Sequence, residues 1–285
     1  MVNSDGKRLQ ESVCNKQLNY KLQTKNYKLR LYLRAKLNHL SKIRVAAVSY
    51  LNTKPLLYGI KRHPIINEIE LIEDYPSKIA QMLIDDEVDA GLIPVAAILK
   101  MEQWNTIGNY CIGSNGPVAS VCIFSEVPME EIEKVYLDYQ SKTSVNLAKV
   151  LLREYWKKNV EFIDATGEDY RNEMKGATAG VVIGDRALQQ RQKSKYIYDL
   201  GEAWKQHTGL PFVFAAWIAN KKLPKDFVTA FDEANALGLQ HLDEVIQENP
   251  YAAFDLKKYF TECISYELDD EKREGMKLFL DKLAG

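Results

Sequence analysis

Short apolar runs alternate with helix-like segments along most of this chain, and this alternation limits the fold more than any other feature. The first unit, RVAAVSYLNTKPLLYGI (44–60), opens with an apolar run of small and β-branched residues that suits a strand buried on both faces, and it turns helical near Pro55. Alternating strands and helices predict an α/β fold whose mostly parallel sheet is covered by helices on both faces. The predicted strands are 43–48, 69–75, 88–95, 117–125, 134–138, 160–164, 179–185 and 211–219, and the predicted helices are 54–62, a segment starting at Pro76, 96–104, 143–156 and most of the chain from 224.

Charge is unevenly distributed along the chain. The net charge is −1, but residues 1–42 contain ten Lys and Arg against Asp5 and Glu11, so they carry +8 and the remainder about −9. Leucines at 29, 33, 37 and 40 share one helix face. This basic extension is either poorly ordered or an amphipathic segment for an anionic surface or nucleic acid. We expect the first, with no nucleic-acid partner and a compact fold that begins at Ile43.

Length and hydropathy indicate the class of protein. With 285 residues and 46% hydrophobic content, the chain predicts one large or two medium domains. The sequence shows no secretory signal and nothing that approaches a membrane span. We therefore expect a cytoplasmic protein with reduced cysteines.

The common metal and cofactor motifs are missing from the sequence. The cysteines (14, 111, 122, 263) form no CxxC pair, and the histidines (39, 63, 207, 241) show no ligand spacing. GxGxxG, GxxxxGK[ST] and GxSxG are also missing. The sequence thus predicts no metal site and lacks the usual signals of a nucleotide-binding loop or a serine-hydrolase nucleophile.

Hydrogen-bonding residues gather around the ends of the predicted strands. In parallel sheets, ligands bind beyond the carboxyl ends of the strands. Small hydroxyl groups and helix N-termini there are suited to carboxylates and phosphates. These residues predict a cleft for a small anion: Ser49, Tyr50 and Asn52 after the first strand, GSNGP (113–117) and Ser120 around the fourth, Ser141, Thr143 and Ser144 after the fifth, and Gly184 and Asp185 after the seventh.

Five blocks, in order, resemble the menaquinone-biosynthesis family typified by chorismate dehydratase. They are VSYLNTKPLLYG (48–59), SNGPVASV (114–121), SKTSVNLAKVLL (141–152), VVIGDRAL (181–188) and DLGEAWKQHTGLPFVFAAWIA (199–219). The resemblance covers 43–285, and its SYLN-type opening differs from that of the sister branch, which makes dihydroxynaphthoate. It implies a type II periplasmic-binding-protein-like α/β fold, with two α/β lobes and a ligand cleft between them. Lobe one is expected at 43–125 plus 216–285 and lobe two at 126–215, with crossings near FSEVP (124–128) and FVFAAW (212–217).

The resemblance also implies a reaction. Chorismate would lose its C4 hydroxyl group and its C3 proton to give 3-[(1-carboxyvinyl)oxy]benzoate, with chorismate as the small-molecule partner and no cofactor. Matching the family's motifs assigns catalytic roles to Asn52 and Ser120. Residues expected to bind substrate are Ser49, Tyr50, Asn115, Gly116, Thr143, Ser144, Asp185, Thr208 and Gly209.

Several of these residues also have structural interpretations. Thr143 and Ser144 can cap their helix, Asp185 can cap the helix RALQQR, and His207 can end its helix before Gly209. The general base is left open between Asp185, His207 and the enolpyruvyl carboxylate of the substrate itself. Two other functions are also open: a solute-binding protein for a small carboxylate, and the sister synthase. The sequence predicts no oligomeric state.

Overall fold

Eleven strands form two mixed sheets in the part of the chain described by the computed structural model, residues 42–285. The basic extension lies outside these residues, apart from Lys42. The strands are β1 Ile43–Val48, β2 Ile69–Asp74, β3 Ala90–Pro94, β4 Asn105–Ser114, β5 Val121–Ser125, β6 Lys134–Leu137, β7 Glu161–Asp164, β8 Thr178–Ile183, β9 Tyr196–Asp199, β10 Phe212–Ala219 and β11 Ser265–Glu267.

Helices connect and cover these strands. The α-helices are α1 Lys54–Arg62, α2 Pro76–Ile84, α3 Lys142–Glu154, α4 Gly184–Gln190, α5 Leu200–Thr208, α6 Lys225–Leu239, α7 Leu242–Glu248, α8 Leu256–Lys258 and α9 Asp270–Ala284. Short 3₁₀ turns occur at Leu51–Thr53, Pro64–Asn67, Val95–Lys100, Met129–Glu131 and Glu168–Asn172, and a π-helical turn at Tyr259–Cys263. Within the described residues, no helix has both the length and the apolar character needed to cross a membrane.

The prediction of a mostly parallel sheet is wrong, because both sheets are mixed. In the first sheet, ordered β11-β4-β10-β3-β1-β2, strand β1 is parallel to β2 and β3, whereas β10 is antiparallel to β3 and β4. In the second, ordered β7-β6-β8-β5-β9, strand β6 is parallel to β7 and β8, whereas β5 is antiparallel to β8 and β9. The chain enters β5 from the other sheet, so β5 does not form a βαβ unit with its neighbours β8 and β9, the unit that produces parallel pairing.

The lobe boundary predicted at 125/126 differs from the sheet membership. Strand β5 pairs only with strands of the second sheet, and β10 pairs only with strands of the first. The chain therefore passes between the sheets in 115–120 and again in 200–211, earlier in both cases than the predicted crossings. We propose that the two lobes follow the two sheets.

Most predicted elements are present, and the differences fall where the pattern is weakest. β1 and α1 have the predicted bounds, but the predicted helix 96–104 is a 3₁₀ turn that ends at Lys100. Strands β4, β9 and β11 were not predicted. β4 carries the sequence NTIGNYCIGS, in which glycines and polar residues interrupt the apolar run, and it is held in place by β10 and β11.

The buried face of α1 fixes where its N-terminus lies. Helices α1 and α6 approach so closely that a Cβ on Gly59 would be 1.9 Å from the carbonyl oxygen of Ala234. A Cβ on Gly238 would be 1.7 Å from the carbonyl oxygen of Pro55. Only glycine permits this backbone contact. The packing holds the start of α1 beside the end of β1, where the cleft lies.

Candidate active site

A cleft lies between the two sheets and contains about 460 Å³ of empty space, including its open mouth. Its walls come from the ends of β1, β3, β4 and β8, the start of β5, the first half of β10 and the turns that follow several of these strands. The cleft is lined by Val48, Tyr50, Asn52, Thr53, Pro76, Leu92, Pro94, Ile112, Val121, Ser141, Ser144, Ile183, Gly184, Phe214 and Ala215.

This lining contains no Asp, Glu, His, Lys or Arg. Three helices of nine residues or more begin at it instead: Thr53 precedes α1, Pro76 opens α2 and Ser141 precedes α3. The first turn of a helix carries unpaired N–H groups and the positive end of the helix dipole. Backbone and hydroxyl donors without a fixed cation make this cleft a candidate anion site.

The start of α3 is capped by Ser141 and not by the predicted Thr143 or Ser144. The Ser141 Oγ accepts the N–H of Ser144 at 3.2 Å and lies 3.0 Å from the Ser144 Oγ. Thr143 is fully buried outside the lining, and its Oγ1 accepts the N–H of Ala96 at 3.0 Å. Ser144 thus faces the cleft, whereas Thr143 joins α3 to the 3₁₀ turn after β3.

Asn52 lies in the 3₁₀ turn between β1 and α1 and lines the cleft. Its Oδ1 accepts the hydroxyl of Thr53 at 3.2 Å, and its backbone carbonyl accepts the hydroxyl of Tyr266 at 2.9 Å. Among the hydrogen bonds of the described residues, none uses the Asn52 Nδ2. The side chain is thus oriented through its oxygen, and its N–H₂ group is left for a ligand.

Tyr50 lines the cleft with its ring and bonds across it with its hydroxyl. The hydroxyl donates to the Oε1 of Gln140, which also accepts the Nη2 of Arg186 at 2.9 Å. Arg186 is paired with the buried Asp138 at 2.9 Å, and the hydroxyl of Tyr170 is also 2.9 Å from that carboxylate. Burial raises the pKa of Tyr50, so its hydroxyl is a donor at neutral pH.

The sequence did not predict this group of residues behind Tyr50. Gln140 and Asp138 lie in an irregular connection, DYQS, without a recognisable motif. Arg186 was the only visible signal, since it directly follows Asp185 in the block VVIGDRAL. Its ion pair with Asp138 depends on the neighbouring positions of β6 and β8, which pair in parallel.

Asp185 lies behind the lining, in the first turn of α4. Its Oδ1 accepts the N–H of Leu51 at 3.1 Å, and its backbone carbonyl accepts the hydroxyl of Tyr251 at 2.7 Å. Burial raises the pKa of Asp185, although the N–H of Leu51 and the charges of Lys54 and Arg186 oppose this shift. The carboxylate holds the turn that carries Asn52.

Ser120 is fully buried and does not form part of the cleft surface. Its backbone carbonyl accepts the N–H of Gly184 at 2.8 Å, and Val121, the next residue, lines the cleft. Of the preceding segment, Asn115 is exposed and Gly116 is buried, and neither lines the cleft. Ser120 therefore directly precedes a lining residue, and its own side chain is buried behind the cleft surface.

The remaining predicted residues lie outside the lining. Ser49 is exposed. Thr208 donates to the carbonyl of Trp204 at 2.8 Å and accepts the N–H of Leu210 at 3.2 Å, while Gly209 ends α5 with φ +76°. Their observed contacts are those of a helix C-terminus. His207, 3.5 Å from Glu154, is also outside the lining.

The described residues contain no cluster of three or more His, Cys, Asp or Glu side chains able to hold a metal ion. Cys111, Cys122 and Cys263 are buried free thiols, while Cys14 lies outside the described residues. Burial raises the pKa of all three thiols, so they are not poised as nucleophiles.

Solved structures with a similar fold include several periplasmic-binding-protein-like molecules. The protein AF1704 from Archaeoglobus fulgidus has a TM-score of 0.68 at 14% identity, with 85% of this chain and 96% of that one covered. A Candida albicans protein, CA3427, with the generic periplasmic-binding-protein fold has a TM-score of 0.59 at 15% identity, with 86% and 90% covered. The aliphatic sulphonate-binding protein SsuA from Escherichia coli has a TM-score of 0.58 at 12% identity, with 85% and 86% covered. At these identities the likeness shows the fold, which confirms the two-lobed α/β prediction.

Sequence comparison identifies the family. A chorismate dehydratase from Thermus thermophilus is 27% identical, with 82% of this chain and 93% of that protein covered. A chorismate dehydratase from Campylobacter jejuni is 26% identical, with 82% and 94% covered. The family model described as menaquinone biosynthesis matches residues 43–285, and the chain therefore belongs to the menaquinone-biosynthesis family.

Proposed function

We propose that this protein is a chorismate dehydratase, a hydro-lyase that removes water from chorismate in menaquinone biosynthesis. The observation that carries the proposal is the cleft without charged side chains at which three helices begin. Chorismate carries two carboxylates, and helix N-termini with nearby hydroxyl groups suit such anions. The two curated relatives named above are chorismate dehydratases.

The reaction removes the C3 proton and the C4 hydroxyl group of the substrate as one water molecule. The ring then becomes aromatic, giving 3-[(1-carboxyvinyl)oxy]benzoate. The ring carboxylate activates the C3 proton, so negative charge develops on that group as the proton leaves. Fixed donors around the carboxylate stabilise this charge without reorganising, as an oxyanion hole does. Ser141 and Ser144 at the start of α3 are suitable donors.

Asn52 is the side chain we assign to the reacting centre. Its Oδ1 is held by Thr53 and its N–H₂ group is available, so it can orient the C4 hydroxyl group or a carboxylate. Ser120 is the second assignment, as a donor to a carboxylate or to the leaving oxygen. Its side chain is fully buried one residue behind the lining, so this role requires the wall formed by Val121 and Gly184 to open when the substrate binds.

The proton acceptor in this proposal is the enolpyruvyl carboxylate of the substrate. Within the lining, Tyr50 is the only side chain that titrates, and burial raises its pKa. Asp185 is occupied by the N–H of Leu51 behind the wall. The protein would then act by positioning and by stabilising charge, without a metal or organic cofactor.

A solute-binding protein for a small carboxylate is the second candidate. The observation that favours it is that the lining contains no Asp, Glu, His, Lys or Arg side chain to act as acid or base, since binding alone needs none. A cytoplasmic location is part of the first proposal, because a biosynthetic enzyme acts where chorismate is made. The two candidates differ in whether chorismate is consumed.

The experiment is to incubate the purified protein with chorismate in the presence of a metal chelator. Absorbance and mass spectrometry then follow the substrate. Loss of one water mass with a benzoate-type spectrum supports the dehydratase, and a naphthoate-type product would favour the sister synthase. Intact chorismate in the presence of folded protein contradicts the proposal, and calorimetric binding without turnover would favour the solute-binding candidate.

A further inference from the structure

A strained turn connects the two sheets immediately before the cleft. Ala119 has φ +62°, a conformation that non-glycine residues rarely adopt. The N–H of Ser120 donates to the carbonyl of Val118 at 2.7 Å, so Ala119 is the central residue of a γ-turn. Backbone strain of this kind persists only where the surrounding structure holds it.

One buried carboxylate holds this turn. Asp199 is 8% exposed and accepts the N–H of Val118 at 3.0 Å and that of Ala119 at 2.8 Å. The same carboxylate accepts the N–H groups of Gly201 at 3.0 Å and Glu202 at 3.2 Å, which makes it the N-cap of α5. It therefore bonds to both segments in which the chain passes from one sheet to the other.

Arg191 and Cys122 also contact the turn or the carboxylate that holds it. The Nη1 of Arg191 donates to the carbonyl of Ala119 at 3.2 Å and lies 4.0 Å from the carboxylate of Asp199. The Sγ of Cys122 is 3.7 Å from the same carboxylate. Thus the N–H and the C=O of Ala119 are both bound by side chains, which over-determines its conformation.

A helix cap would not need this arrangement. Capping of α5 requires only the bonds to Gly201 and Glu202. The two additional bonds, to Val118 and Ala119, go to the turn that precedes Ser120 and Val121. Val121 lines the cleft, and the carbonyl of Ser120 binds the N–H of Gly184, which also lines it.

We propose that Asp199 is a positioning residue, which holds Ala119 in its left-handed conformation and thereby sets Ser120 and Val121 at the wall of the cleft. Asp199 does not touch the substrate. Its effect on turnover rests on the proposed dehydratase function, in which Ser120 is a catalytic residue. Its effect on the turn does not depend on that function.

The test begins with Asp199→Asn. An asparagine cannot accept from all four N–H groups, so at least one buried donor is left unpaired or opposed by the amide N–H₂. The turn can then relax, and kcat for chorismate is expected to fall about 10- to 100-fold with a smaller change in KM. The matched control is Asp255→Asn, another aspartate N-cap, which accepts the N–H of Lys258 at 3.1 Å and is expected to leave kcat unchanged.

Two further variants separate positioning from general damage. Ala119→Gly removes the steric cost of φ +62°, so in combination with Asp199→Asn it is expected to recover much of the lost kcat. In a Ser120→Ala background, Asp199→Asn is expected to lower kcat less than in the wild type, because both changes act through one residue. Unchanged kcat in Asp199→Asn, no recovery by Ala119→Gly, or effects that multiply with Ser120→Ala would each overturn the proposal.

Urea denaturation provides a readout that needs no substrate. Asp199→Asn is expected to reduce the free energy of unfolding less in the wild type than in the Ala119→Gly background, because relaxation of the turn recovers strain energy only when residue 119 is alanine. If the wild type does not convert chorismate, the proposed function fails. The double-mutant cycle of Asp199→Asn and Ala119→Gly, measured by unfolding, still tests whether Asp199 holds the turn. Additive effects in the cycle, or failure of the double variant to fold, would overturn the proposal.

Discussion

The hydroxyl of Tyr50 donates a hydrogen bond to the side-chain carbonyl of Gln140, and this bond crosses from one sheet to the other. Tyr50 follows β1 of the first sheet, whereas Gln140 follows β6 of the second. Arg186 holds the same carbonyl at 2.9 Å, so Gln140 is fixed before Tyr50 reaches it. This side-chain hydrogen bond therefore bridges the cleft beside the ring of Tyr50.

Loss of this bridge should weaken substrate binding. Tyr50→Phe is expected to raise KM for chorismate about 5- to 20-fold, because it removes the bond to Gln140. Gln140→Met also removes the bonds of Gln140 to Arg186 and Tyr139, so it should raise KM at least as much, and the double variant should be little worse than Gln140→Met alone. Steady-state kinetics checks this, with Tyr139→Phe as control, since Tyr139 touches Gln140 and Glu168 on the exposed side. Multiplying effects would contradict the bridge.

Gly184 should not tolerate a side chain. It has φ +61°, and a Cβ there would lie 3.2 Å from two ring carbons of Tyr50. Gly184→Ala is expected to lower the free energy of unfolding by roughly 1–2 kcal/mol and to raise KM, because strain and the displaced ring act together. Gly167→Ala is the matched control, since a Cβ at Gly167 meets nothing within 4 Å. Urea denaturation of both variants tests this prediction, and equal free energies of unfolding for Gly184→Ala and Gly167→Ala would refute it.

Asp185 should make stability depend on pH. Burial raises its pKa, so the folded state binds the proton more tightly than the unfolded state. As pH rises from the unfolded pKa of about 4 towards the folded pKa, the folded state therefore loses stability at this group. Asp185→Asn keeps an acceptor for the N–H of Leu51 and removes the titration. Its stability relative to the wild type should rise through that window and then level off; a flat difference in urea denaturation across pH would contradict this.

Asn52 should be needed for turnover more than for folding. Asn52→Asp keeps the acceptor for Thr53 but replaces the free N–H₂ group with a negative oxygen in a cleft that binds an anion. We expect kcat/KM for chorismate to fall about 100-fold or more, with a much smaller change in unfolding free energy. Asn67→Asp, on an exposed turn, is the control. Undiminished turnover in Asn52→Asp would count against its positioning role.

The sequence by itself determined those features that depend on local pattern. The apolar run of small and β-branched residues at 45–48 and the proline near the start of α1 predicted a strand and a helix with the observed bounds, because burial and φ restriction act locally. The same pattern placed Tyr50, Asn52 and Ser144 where the cleft is found. Five ordered blocks were enough to predict the family that the comparison then established.

Only the tertiary structure decided which side chains meet. Ser120 and Thr143 follow the same polar pattern as Asn52 but are fully buried outside the lining, where the carbonyl of Ser120 binds Gly184 and the hydroxyl of Thr143 binds Ala96. Gln140 bonds to Tyr50, and Asp199 to Ala119, across 90 and 80 positions of sequence. Such contacts depend on sheet order and on where the chain crosses between the sheets. Hydrophobic periodicity predicts neither the sheet order nor the positions of these crossings, because it indicates only which face of a single helix or strand is buried.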